Sequence, residues 1–481
     1  MTDPLSVLVA LAHVVYGAAA LVLAGLGLHA LVLAALRTAL PARPLPTRDG
    51  PWPDVVVQIP VYDEPAALVA RALDAALATD YPGRVEVQLL DDSSPAARRA
   101  NAALCAERRP GVRHLARDAR DGYKAGALAH GLARSDAPVV AVFDVDFRPA
   151  PGVLRALIGP LLADPGLAFV QGRWTHPGAD RTVLGRAQAA VLDLHFAVEQ
   201  AARDRAGLPL PFNGTAGVWR RAAIDDAGGW RADTLAEDAD LALRAQARGW
   251  RARLAEDVTV PADLPATVGA WRRQQARWAK GLAEVARLRL ATWWRAPLPV
   301  RSKLAFTGHL ALSLSLPSLL LVLVLHPVVA AVGGSGASVA LAALGPVALT
   351  GVISAHVVAL RALHPASWRS RLLRIPAALV APIALVGPAA RAVAQAAFGR
   401  RTPFARTPKG PPSAGEGGRA EVALALWSAL GLAALVALGA WGAVPFQAVL
   451  SVATAGAAWA VRQTPAAPRP VPTAVLSRAA A

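Results

Sequence analysis

Three runs rich in β-branched residues each lead into side chains that could do chemistry. Asp54-Val55-Val56-Val57-Gln58-Ile59-Pro60 runs into Tyr62-Asp63-Glu64, the stretch Arg84 to Leu90 into Asp91-Asp92-Ser93-Ser94, and the stretch Ala137 to Phe143 into Asp144-Val145-Asp146. Ligands of open α/β sheets bind beyond the carboxyl ends of the strands, so three such clusters describe one site. Asp144 and Asp146, two apart, can turn together toward a hard divalent cation, which suits a nucleotide diphosphate. Lys124 opens the small-residue helix Lys124-Ala125-Gly126-Ala127, where an ammonium and free backbone donors can meet a phosphate. Glu237, Asp238 and Asp240 crowd the start of another helix, and Asp238 is placed to act as a general base toward an acceptor hydroxyl. Trp271, Gln274, Arg277, Trp278 and Gly281 share a helix face, where an indole can stack on a sugar and Arg can fork onto a diphosphate. Each pattern alone has an ordinary reading: a turn, a helix cap, an exposed lysine or an interfacial anchor. Their company is what points to a nucleotide-sugar site.

The elements that must position these groups are strand-like runs separated by helical stretches, which indicates a mostly parallel α/β sheet with crossovers between Trp52 and about Arg301. On either side the chain is far more apolar. Hydrophobic residues make up 54% of the 481 and charged residues only 17%, so membrane segments are expected. Leu5 to Leu36 reads as a retained anchor rather than a signal peptide, because its arginines follow the apolar run. Further spans are expected at about Leu304–Val332, Val339–Leu363, Val422–Trp441 and Val444–Val461. Lys and Arg flank only one side of these spans, which places the α/β domain in the cytoplasm. The segment Ile375 to Phe398 holds three prolines and Arg391 between basic flanks, and is placed at the cytoplasmic interface, with a sixth crossing as the alternative. The net charge of +17 gathers beside the spans, where anionic lipid attracts it; no nucleic-acid motif is present. A single cysteine, Cys105, excludes a disulfide scaffold, and no zinc spacing exists.

The order Asp91-Asp92-Ser93, Lys124-Ala125-Gly126, Asp144-Val145-Asp146, Glu237-Asp238 and Gln274-Gln275-Ala276-Arg277-Trp278 resembles the processive family-2 glycosyltransferases, whose signature is D, DxD, [TV]ED and QxxRW. The stretches Leu192 to Gln200, Phe212 to Arg220 and Gly228-Gly229-Trp230 look most like the cellulose-synthase-like branch that contains glucomannan 4-β-mannosyltransferases and related β-glucan synthases. The likeness covers roughly Val55 to Gly281. It implies an α/β GT-A fold for the domain between the apolar segments. With the expected helical transmembrane bundle, the chain divides as 1–36 (span), 37–302 (cytoplasmic catalytic domain with interfacial helices at its end), 303–363 (two spans), 364–420 (interfacial segment and gating-like loop), 421–462 (two spans) and 463–481 (disordered tail).

The resemblance also implies roles. Asp91 or Asp92 would contact the nucleoside; Tyr62, Glu64, Lys124, Gln274 and Arg277 would complete the nucleotide-sugar side; and Asp144 and Asp146 would hold the diphosphate and Mg2+ or Mn2+. Asp238 would be the base. Asn213, Gly214, Thr215, Glu237 and Trp278 would line the acceptor. Phe404, Thr407 and Lys409 resemble the FxVTxKG gating loop of bacterial cellulose synthase, with Arg406 where that motif has Val, and Ala236 stands where Thr or Val usually precedes Glu-Asp. The implied activity is inverting polymerisation of a hexose from GDP-mannose or UDP-glucose onto a growing β-linked polysaccharide at the plasma or inner membrane, coupled to export and leaving room for accessory subunits. Two other classes compete: single-sugar transfer to a ceramide or polyprenyl-type lipid, and a non-catalytic membrane partner or transporter that kept the fold.

Overall fold

The computed structural model describes residues 3–46, 50–108, 110–332, 344–402 and 418–462. Seven strands form one sheet: β1 (Val55–Val61), β2 (Val85–Asp91), β3 (Val112–Ala116), β4 (Val139–Val142), β5 (Leu167–Thr175), β6 (Gly217–Arg220) and β7 (Arg251–Pro261), in the order β3-β2-β1-β4-β6-β5-β7. The first four pair in parallel, β6 runs antiparallel to both its neighbours, and β5 pairs with β7 in parallel. The sheet is therefore mixed. The expected strands after Asp54, Arg84 and Ala137 are β1, β2 and β4.

The near-continuous apolar runs follow from burial on both faces. Val55, Val57 and Ile59 pack with Leu73 of the helix Ala66–Leu77 and Leu157 of the helix Val153–Ala163. Val56, Val140 and Val142, on the opposite face, pack with Leu128, Phe169, Trp219 and Leu241. Parallel register then aligns the strand ends, pairing Val61 with Asp91 and Gln58 with Val142, so Tyr62, Asp92 and Asp144 all leave the sheet along one edge.

Among the described residues, six helical segments are long and apolar enough to cross a membrane: Pro4–Ala39, Val300–Val332, Leu344–Leu363, Trp368–Ala397, Arg419–Ala437 and Val444–Arg462. Five correspond to the expected spans. The sixth contains the segment placed at the interface, and it is a broken rod, with 3₁₀ turns at Leu372–Arg374 and Ala381–Leu385 between α-helical pieces. Prolines at 376, 382 and 388 remove backbone donors there, which accounts for the breaks. Its Ala389 and Val393 pack on Ala279 of the helix Val268–Arg295, which carries Gln274, Arg277 and Trp278. The first segment is tied to the sheet domain by Leu33 and Ala34, which pack on Ala197, Val198 and Ala202. Phe404, Thr407 and Lys409, with the 463–481 tail, lie outside the described residues.

Candidate active site

One cavity at the carboxyl edge of the sheet gathers Tyr62, Glu64, Asp92, Lys124, Asp144, Asp146, Asn213, Gly214, Glu237, Asp238, Gln274, Arg277 and Trp278. Residues up to 216 positions apart in the chain thus meet around one space.

Of the Asp91-Asp92 pair, only Asp92 lines it. Asp91 is fully buried, accepting hydrogen bonds from Ser93 N, Asn101 Nδ2 and His114 Nε2. Burial alone would raise its pKa, but the bonds from His114, Ser93 and Asn101 hold it below the ordinary carboxylate value. Asp91 therefore anchors the loop that presents its neighbour. Asp92 takes a forked contact from Arg117, Nε to Oδ1 at 2.8 Å and Nη2 to Oδ2 at 2.5 Å, and the Arg120 guanidinium lies 3.4 Å from the Tyr62 ring centre.

Lys124 Nζ donates to Asp144 Oδ1 at 2.6 Å and to the Gly214 carbonyl at 3.0 Å, and stands 3.9 Å from Glu237 Oε1. Burial would lower its pKa, yet Asp144, Glu237 and Asp238 together raise it. Thr215 does not line the cavity; its buried hydroxyl accepts from the Asp144 backbone N–H at 2.8 Å and fixes the start of the Asp-x-Asp turn. Asp144 and Asp146 both reach the cavity as hard oxygen donors, which fits a divalent cation; among the described residues no third His, Cys, Asp or Glu joins them, so the remaining ligands would come from a diphosphate and water.

Glu237 and Asp238 open the helix Glu237–Ala247. Burial pushes both carboxyls up, Glu237 is raised further by Asp238 beside it, and Lys124 and Arg277 oppose the rise in both. They titrate as a pair. Gly214, at φ +76°, leaves room for Asp238: a Cβ there would stand 2.7 Å from Asp238 Oδ2 and 3.3 Å from Lys124 Nζ. Gly214→Ala is expected to destabilise the protein by about 1–3 kcal/mol through left-handed backbone strain and to displace the carboxylate. Thermal unfolding beside a rate assay checks both effects. Gly281 plays the same part for the Val268–Arg295 helix, since a Cβ there would meet Ala236 Cβ at 2.7 Å. The small residue before Glu-Asp thus faces a close helix approach.

Trp278 joins Trp174, with ring centres 6.4 Å apart, and Trp174 contacts Phe147 at 5.1 Å. Trp271, on the same helix, is buried away from the cavity.

The family model "Glycosyl transferase family group 2" matches residues 139–354. Glucomannan 4-beta-mannosyltransferase 2 of Arabidopsis thaliana is 41% identical over 244 residues, covering 49% of this chain and 46% of that protein. The probable glucomannan 4-beta-mannosyltransferase 9 of Oryza sativa subsp. japonica is 40% identical over 260 residues, 51% of this chain and 49% of that one. Over about half of its length the chain is similar to glucomannan 4-β-mannosyltransferases. It spans about half the length of the curated relatives it matches. The mannosyltransferase PcManGT from Pyrobaculum calidifontis, solved with GDP-Man and Mn2+, aligns with TM-score 0.54 at 23% identity over 76% of this chain and 99% of that one, which shows the GT-A fold.

In the sequence the Leu192–Gln200 stretch carries a likeness to the glucomannan mannosyltransferase branch but no assignable task. In the structure it contains a π-helical turn, His195–Gln200. His195 Nε2 pairs with Asn213 Oδ1 at 3.0 Å, His195 Nδ1 with Glu199 Oε2 at 2.9 Å, and His309 Nδ1 with Glu199 Oε1 at 2.7 Å. Arg203 completes the cluster at 3.2 Å. Burial would raise Glu199, but the His309 ring, Arg203 and the His195 bond hold it well below the ordinary value. A cavity residue is thereby linked to the Val300–Val332 segment. Glu199→Leu, which strands the buried Arg203 charge, is expected to cost about 3–5 kcal/mol, measured as a lowered Tm of the purified chain. The i,i+4 spacing of His195 and Glu199 was the available signal. Arg117, Arg120 and Trp174 carried no comparable pattern.

Proposed function

We propose that this chain is a membrane-embedded inverting β-glycosyltransferase that extends a β-1,4-mannan or glucomannan from GDP-mannose, with UDP-glucose as the second donor to test, and passes the product outward. The observation that supports it most is the single cavity holding Asp92, Asp144, Asp146, Asp238, Arg277 and Trp278. Homology to glucomannan 4-β-mannosyltransferases and the GDP-Man in the structural neighbour favour mannose as the sugar. The six apolar segments around the site suit a multi-pass protein of the plasma or inner membrane with the catalytic domain in the cytoplasm, where nucleotide sugars are made.

In this reading the donor diphosphate lies toward Asp144, Asp146, Lys124 and Arg277. Mg2+ or Mn2+ held by Asp144 and Asp146 would neutralise charge on the departing nucleotide diphosphate. Asp92 and Tyr62 face the nucleoside, with Glu64 and Gln274 closing the donor side. The acceptor sugar stacks on Trp278 beside Asn213, Gly214 and Glu237. Its hydroxyl gives a proton to the Asp238 carboxylate while the oxygen attacks the anomeric carbon opposite the leaving group, so an α-linked donor yields a β-linkage. Burial favours the protonated form of Asp238, which makes the carboxylate a stronger base than a solvated Asp.

The test is purified full-length protein supplied in turn with radiolabelled GDP-mannose and UDP-glucose. Insoluble polymer sensitive to a β-1,4-mannanase supports the reading. An organic-extractable glycolipid would replace it with single-sugar transfer to a lipid, and no transfer from any nucleotide sugar would favour a non-catalytic role.

A further inference from the structure

A second cavity adjoins the first, and His176 is the one residue lining both. Its walls come from three places: the end of β5 with the helix Val183–Leu194, the second half of the Leu344–Leu363 span, and the opening turns of the broken Trp368–Ala397 segment. It therefore sits where the basic end of an apolar segment meets the sheet domain, the depth at which lipid headgroups stand.

Four guanidiniums line it, those of Arg173, Arg186, Arg371 and Arg374, against the carboxylates of Asp180 and Asp193. Asp180 is engaged by Arg374 at 2.5 Å and by Arg371 at 3.4 Å, yet more than half of its side chain is open to solvent. A competing anion can reach both arginines. The independent observation is His356. It faces this cavity from the span, is only 7% exposed, and makes no hydrogen bond to any described residue. A ring held this deep, with no partner among the described residues, is left to bond a ligand oxygen in the cavity it lines. Leu360, Leu363 and Ile375 give the same cavity an apolar wall. Surplus positive charge, an unpartnered buried imidazole and an aliphatic side together match a phosphate ester carried on an acyl chain.

We propose that this cavity binds the headgroup phosphate of an anionic membrane phospholipid. The phosphate oxygens exchange with Asp180 on Arg371 and Arg374, His356 contacts the ester, and the acyl chains follow the Leu360 side. The site does not depend on the glycosyltransferase reading.

The full chain, purified in detergent and stripped of lipid, is titrated with phosphatidylglycerol, phosphatidylcholine and inorganic phosphate separately, with bound species counted by native mass spectrometry. One phosphatidylglycerol retained in preference to phosphatidylcholine is expected, and Arg371→Gln with Arg374→Gln lowers its affinity roughly tenfold or more. Saturation by inorganic phosphate that excludes phosphatidylglycerol would overturn the lipid source, and equal retention by parent and variant would overturn the site. Should the double variant fold poorly, a photoactivatable phosphatidylglycerol on the unmodified protein decides instead. Adducts on peptides containing His356 or Arg371 support the proposal, and adducts confined to other segments refute it.

Discussion

Replacing Asp238 by Asn stops polymer synthesis, lowering turnover by about 10²–10⁴-fold, the usual contribution of a positioned general base. Donor affinity stays within about threefold of the parent, because the donor-side residues are untouched and the amide keeps the shape of the carboxyl. The protein also stays folded. Burial already penalises the Asp238 charge, so a neutral isostere removes a cost rather than adding one. The backbone bond from Ala239 N to Oδ1, 2.8 Å, can be kept by the amide oxygen. Labelled-mannose incorporation, donor titration calorimetry and thermal unfolding on one preparation separate these expectations. Substantial elongation by the variant would remove Asp238 from the base role, and loss of donor affinity with loss of rate would mean that it holds the donor instead.

Much of this arrangement was legible because its causes are local. The strand runs before Tyr62, Asp91 and Asp144 are β-branched and buried on both faces, so period and composition place them, and parallel pairing brings their ends to one edge. Ordered motifs then located Lys124, Asp238 and the Gln274–Trp278 helix. What the sequence left open is set by tertiary contact. Whether Asp91 or Asp92 faces the cavity depends on Asn101 and His114, which capture the first, and on Arg117, which grips the second. Thr215 reads as an acceptor contact in the Phe212–Arg220 stretch, but its hydroxyl is spent on the Asp144 backbone. The antiparallel strand β6, Gly217–Arg220, has one β-branched residue where the equally short β4 has three, so composition does not mark it, and it makes the sheet mixed. His195, Glu199 and His309 form one cluster only because the Val300–Val332 segment packs against the π-helical turn. No spacing along the chain could supply that.

Lys124 is the second residue on which a large effect is expected, and its effect includes a direction in pH. Its ammonium sits among Asp144, Glu237 and Asp238, and it opposes the burial that raises the latter two. Lys124→Met keeps the length of the side chain and removes the charge. Both carboxyls then rise further, since of the two opposing cations only Arg277 is left to offset the burial of both and the effect of Asp238 on Glu237. A base must be unprotonated to accept the acceptor proton, so activity falls as pH drops through its pKa; a higher pKa moves that fall to higher pH. The acidic limb of the kcat/KM profile is therefore expected to shift upward by about one unit or more, since one unit corresponds to about 1.4 kcal/mol of lost charge interaction. The maximal rate is expected to drop by about 10²-fold, as one electrostatic donor at a developing charge is lost, because Asp144 and the Gly214 carbonyl lose their common partner. The alkaline limb serves as the internal control: at high pH both carboxyls are ionised in parent and variant, so the part of the defect due to protonation vanishes there and only the loss of charge at the diphosphate persists. An acidic limb that stays put, or moves down, would show that the lysine does not set the ionisation of the Glu237–Asp238 pair.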